Sequence, residues 1–207
     1  MQKRKINQMY FPDGYEVQQK EKVMAFANML GRKTPGKDGY EWDDPEYVIL
    51  EPGVDDEMAE MGMAMGFFTK RTAKEMAEIT GKSEEYCAEQ MMKLAEYGTT
   101  MVNKIDGVDT FWNVETWAPG SMEMIVNKPE NIKKYPVVAY CFEGYGRRRG
   151  PLSAGMFPTG LGLMRVVPID QAIDGNSKRA SYEELSKYLN DNTVFSSVTV
   201  SVAVLPR

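Results

Sequence analysis

The 207 residues predict an α+β, mainly helical protein. A winged helix-turn-helix-like domain over residues 51–127 is expected to carry an N-terminal arm, 1–50, and a C-terminal α/β extension, 128–207, packed on it as one body. Three observations carry this reading. Capping residues and glycines bracket three successive helical stretches. An Asp106-Gly107 turn sits between two runs of strand-forming residues. Valine-rich runs alternate with one further capped helix near the C-terminus.

In the arm, residues 17–30 predict a short helix with Val23, Phe26, Ala27 and Leu30 on one side. A turn-rich run follows over 31–45, with Pro35, Gly36 and Gly39. Trp42, Tyr47, Ile49 and Leu50 are expected to anchor the arm's end. It would wrap the body or reach a neighbour.

The middle part has the clearest pattern. Asp55 is placed to cap a helix over 56–67, with Met58, Met61 and Met65 turned inward. Thr72 and Glu75 form a T-x-x-E capping box for a second, short helix that ends at Gly81. Ser83 caps a third helix over 84–97, ended by Gly98. Residues 99–105 and 110–117 read as a hairpin around Asp106-Gly107, with a wing tryptophan, Trp112 or Trp117, packing it onto the body. This is the winged-helix order of elements.

The last part predicts helices over 121–126 and 131–145, with Pro136 marking a possible start of the second. The Gly/Pro-rich run 144–162 reads as a loop. Residues 163–168 and 194–205 read as strands, and 181–189 as a helix boxed by Ser181 and Glu184.

Composition narrows the chemistry. There is no histidine and there are two separated cysteines, Cys87 and Cys141. Catalytic triads, Cys-His pairs and zinc sites with His ligands are thereby excluded, and one copy of the chain cannot ligate a four-Cys cluster. No catalytic and no metal-binding residues are expected, and purified protein should carry no stoichiometric iron or zinc. Both cysteines read as core thiols. The 16 methionines read as adaptable core filler or as a plastic docking surface. No run approaches the roughly 20 apolar residues of a membrane span, and no apolar stretch follows the basic start, so a cytoplasmic protein is expected.

Charge argues against DNA. Residues 1–50 hold 8 basic and 8 acidic side chains, residues 51–127 hold 6 and 15, net −9, and residues 128–207 hold 11 and 7, net +4. A DNA-reading winged helix needs a basic surface. Here Glu85, Glu89 and Glu96, with only Lys93 nearby, occupy the outer face of the third helix, which would meet phosphates. DNA is therefore an unexpected partner, and a winged-helix transcriptional regulator is the alternative reading. The run Arg147-Arg148-Arg149 is either a solvated helix end or an anion or acidic-partner site. Replacing all three by alanine is expected to leave folding nearly intact.

Several segments resemble a known family: Asp44-Pro45-Glu46-Tyr47 with Ile49-Leu50-Glu51-Pro52, Asp56-Glu57-Met58-Ala59-Glu60, Arg71-Thr72-Ala73-Lys74-Glu75, Gly81-Lys82-Ser83, Trp117-Ala118-Pro119-Gly120, Gly150-Pro151-Leu152 and Met164-Arg165-Val166-Val167-Pro168-Ile169. They look like the N-terminal winged-helix-like region of large 4Fe-4S, flavin-dependent oxidoreductases (pyridine nucleotide-disulfide type) of anaerobic bacteria. The resemblance implies a non-catalytic accessory or docking region whose partners are redox modules or subunits, with homo-oligomerisation a further possibility. It implies that 4Fe-4S clusters and flavin belong to family modules outside this chain. The sequence departs from the family at its end, where Val200-Ser201-Val202-Ala203-Val204 stands in place of cluster cysteines. No G-x-G-x-x-G fingerprint follows a strand.

Overall fold

The computed structural model describes residues 11–114 and 116–156, with side chains up to Arg148 apart from Pro119. These residues fall in the first of two units, Met1–Ser153, apart from the end of the last helix, which runs into the second, Ala154–Arg207. The strands expected at 163–168 and 194–205 and the helix at 181–189 lie outside the described residues. So does the side chain of Arg149.

The described residues form an α+β, mainly helical structure. Helix α1, Glu21–Leu30, buries Val23, Phe26, Ala27 and Leu30. It starts later than the sequence suggests, because residues 17–20 are not helical and Lys20 is extended; the Lys20 amide donates to the Tyr47 hydroxyl and its ammonium to the Glu51 carbonyl, 2.8 and 2.6 Å away. A one-turn helix, α2, Pro45–Val48, opens with proline at its first position. It leads into Ile49 and Leu50, which are fully buried with Tyr47. Trp42 meets Tyr47 edge-on at 5.0 Å. Tyr47, Ile49 and Leu50 of the arm's expected anchor are therefore core residues, and Trp42 packs half-buried against them.

Helix α3, Asp56–Met65, is capped by Asp55, whose carboxylate accepts from the Met58 amide at 2.8 Å. It stops at Gly66, two residues earlier than expected. Its face carrying Met58, Met61 and Met65 is buried, and α1 packs on it so closely that a Cβ on Gly62 would lie 2.5 Å from the Phe26 ring. A two-residue strand, β1, Arg71–Thr72, which periodicity did not reveal, precedes helix α4, Ala73–Thr80. Thr72 and Glu75 form the expected capping box. Helix α5, Glu84–Tyr97, is capped by Ser83 and closed by Gly98 at φ 117, where a Cβ would meet the backbone of Met124 and Ile125 at 3.0 Å.

Strands β2, Thr100–Ile105, and β3, Val108–Asn113, form the hairpin in unbroken register, and β1 adds to the far side of β3, giving the antiparallel order β1-β3-β2. The second hairpin strand is thus shorter than 110–117. Trp117 has left the sheet for a π turn, Trp117–Ser121. Of Trp112 and Trp117 it is the one that is buried, donating from its indole N–H to the Tyr40 hydroxyl at 3.0 Å.

Helices α6, Met122–Val126, and α7, Pro129–Lys134, follow, and then α8, Val137–Met156. Two expectations are corrected here. The helix over 131–145 is split at Pro136, where proline removes a donor and restricts Tyr135. The run from Gly144 to Met156 is helical rather than a loop. Glycine and proline disfavour helix by about 1 and 3 kcal/mol, but burial of Val137, Val138 and Cys141 anchors the first turns of α8 in the core, and tertiary packing of this kind overrides propensity.

Candidate functional site

The α5 face opposite the core is built from carboxylates. The apolar stripe Cys87, Met91, Leu94 and Ala95 faces inward, and the 3.6-residue period then carries Glu85, Glu89 and Glu96 outward, all exposed. Lys93 is half-buried and its ammonium lies 2.7 Å from the Glu89 carboxylate. The one cation expected on this face is thus engaged by a neighbouring anion.

Beside this face runs a groove of about 570 Å³ between the start of α4, α5 and the hairpin. Ala73, Ala88, Met92, Val108 and Phe111 contribute its apolar lining. Lys74 and Lys104 line it together with Glu84 and Asp109, so the charges balance. Lys104 itself pairs with Asp109 at 3.3 Å.

The arginine run lies along α8 rather than in a loop. Arg147 is paired one turn back with Glu143 at 2.5 Å. The Arg148 guanidinium reaches the Asp44 carboxylate at 2.5 Å and the Asp43 carbonyl at 3.2 Å, tying α8 to the residues just before α2. Asp44 is buried and also accepts from the Glu41 amide. Arg148 therefore has an intramolecular task, holding a buried carboxylate.

A polar cluster lies under the arm. Glu46, Glu51 and Cys141 are buried. Tyr15 donates to the Glu51 carboxylate. Burial pushes the Cys141 thiol well above its ordinary range, and the nearby Glu46 and Glu51 charges push it further. Burial does the same to Tyr97 and to Tyr15, where the bond to Glu51 adds to it. These groups are held neutral, the opposite of what a thiolate nucleophile needs. Among the described residues no three Cys, Asp or Glu side chains converge as a metal site.

Sequence reasoning missed one surface feature. The loop after α3 presents Phe67 and Phe68, and the Arg32 guanidinium sits 5.5 and 4.8 Å from their ring centroids. Phe68 and Arg32 both have positive φ, 52° and 55°. The only sequence signal was an aromatic pair after the helix-ending Gly66.

No protein family, curated protein or solved structure matches the chain. Among the described residues, no helix is long and apolar enough to cross a membrane.

Proposed function

We propose that residues 51–127 form a winged helix-turn-helix-type domain used to dock protein rather than to read DNA. The order helix α3, strand β1, helices α4 and α5, then the β2–β3 hairpin with β1 on β3 supports the fold assignment. The observation that carries the function is the exposed carboxylate row of α5, Glu85, Glu89 and Glu96, with Lys93 already bound to Glu89. The recognition helix of a DNA reader must lie against phosphates. Three carboxylates there repel the duplex and release no counterions. The same row suits a basic protein surface and speeds its association.

The resemblance in the sequence supplies the partner class: a cytoplasmic redox module or subunit that itself holds the 4Fe-4S cluster and flavin. This chain would contribute binding and orientation, not electron transfer. The test is a pair of titrations on the full chain. Random duplex DNA should bind weakly with a shallow salt slope, and a flavin and iron–sulfur module of the resembling family should bind with an affinity that falls as salt rises. A triple Glu85→Lys, Glu89→Lys, Glu96→Lys variant should lose the module and gain DNA. Nanomolar, steeply salt-dependent DNA binding by the unaltered chain would replace docking with the regulator reading.

A further inference from the structure

Strand β2 is an edge of the sheet, and no strand lies on its outer side among the described residues. Residues 101–105 are all exposed, and three of them are apolar: Met101, Val102 and Ile105, at 38, 39 and 37% exposure. Val108, at the start of β3, is 52% exposed. Proteins normally blunt such an edge with proline, a bulge or inward-facing charge. None interrupts β2, which pairs with β3 residue for residue from Thr100 to Ile105. Its single charge, Lys104, is balanced by Asp109 across the hairpin.

The direction of the backbone groups follows from the turn. Asp106 and Gly107 have φ 50° and 82° and close a two-residue loop, so Ile105 and Val108 are a hydrogen-bonded pair. At the other end the Val114 amide donates to the Thr99 carbonyl at 3.0 Å. Bonded pairs alternate along an antiparallel ladder, so Met101 and Asn103 also bond inward to β3. The N–H and C=O of Val102 and Lys104 therefore point outward.

We infer that β2 pairs antiparallel with β2 of a second copy, about a two-fold axis at Asn103. That register matches the outward groups, because Val102 bonds with the partner's Lys104, and Lys104 with the partner's Val102. Residues of equal parity oppose one another, so side-chain faces match. Met101 meets the partner's Ile105, and Ile105 the partner's Met101, covering the four exposed apolar side chains on one face of a continuous sheet. The two Asn103 amides face each other across the axis. No like charges are directly opposed, since each Lys104 stands against a valine. The strand is thus complementary to itself, as a closed two-fold interface requires. The carboxylate face of α5 is not, because it would repel its own copy.

The test is analytical ultracentrifugation of the full chain up to about 100 µM, a range that populates a weak pair. The unaltered chain should show a concentration-dependent dimer. Asn103→Lys puts two ammonium groups on the axis, and Asn103→Asp two carboxylates. Each should weaken association by roughly five- to tenfold, and an equimolar mixture of the two should restore it. Asn103 is exposed, so circular dichroism should report unchanged folding. Val102→Pro removes an outward donor, which an edge strand tolerates, and should leave a folded monomer. A monomeric unaltered chain, an Asn103→Lys variant that still dimerises fully, or a mixture that fails to recover would each overturn the inference.

Discussion

Arg147 and Arg148 are sequence neighbours with different energetic roles. Arg147 makes an exposed one-turn pair with Glu143, worth about 0.3–0.5 kcal/mol. Arg148 is about one-fifth exposed and holds the buried Asp44. Removing it takes the charged partner from that buried carboxylate, at about 1–3 kcal/mol. Urea unfolding should therefore leave Arg147→Ala nearly unchanged and shift Arg148→Ala clearly, so the triple alanine variant is less benign than the sequence suggests. The buried thiol and phenols yield a pH dependence. Cys141, Tyr15 and Tyr97 have raised folded pKa values, so the folded state keeps protons that the unfolded state releases. Their contribution is present below the unfolded values, near 9 for the thiol and 10 for the phenols, and is lost as pH rises through them. Thermal midpoints should be level near neutrality and fall above pH 9, with a smaller early fall in Cys141→Ala. A fall confined to acid would contradict the assignment.

At the scale of elements, local signals were legible and pairings were not. The caps Asp55, Thr72 and Ser83 act within three residues of themselves, so the sequence displays them directly. Thr72→Ala should cost about 1 kcal/mol, read in thermal unfolding. Strand β1 had no signal because two residues carry no period; it exists only through Arg71 and Thr72 meeting Phe111 and Thr110. Asn113 was likewise unremarkable in sequence. In the fold it is buried and its amide donates to the Gly62 and Gly66 carbonyls at 2.8 and 2.9 Å, tying the hairpin to the end of α3. Asn113→Leu should destabilise by about 1–3 kcal/mol, because the buried Gly62 carbonyl and the part-buried Gly66 carbonyl lose their donor. A variant as stable as the parent would show that the tie is replaced by water or by rearrangement.

For the whole described body, the arm is part of the core. Val23, Phe26, Tyr47, Ile49 and Leu50 are buried to within 1%, and large core side chains contribute about 2–5 kcal/mol each when truncated. A chain lacking residues 1–50 should therefore lose cooperative unfolding by circular dichroism, whereas an arm that merely reached a neighbour would leave the melt intact. What the sequence by itself determined was what short-range physics encodes: the capped helices α3 to α5, the Asp106-Gly107 hairpin, the inward methionines and the acidic outer row of α5. Each depends on residues within a turn or two of one another. The tertiary structure alone decided the β1 pairing, the indole of Trp117 against Tyr40, the hold of Arg148 on Asp44 and the helical course of α8 through Gly144 and Gly146. These depend on partners far away in the chain, and the free energy of burying them outweighs local propensities of about 1 kcal/mol per residue.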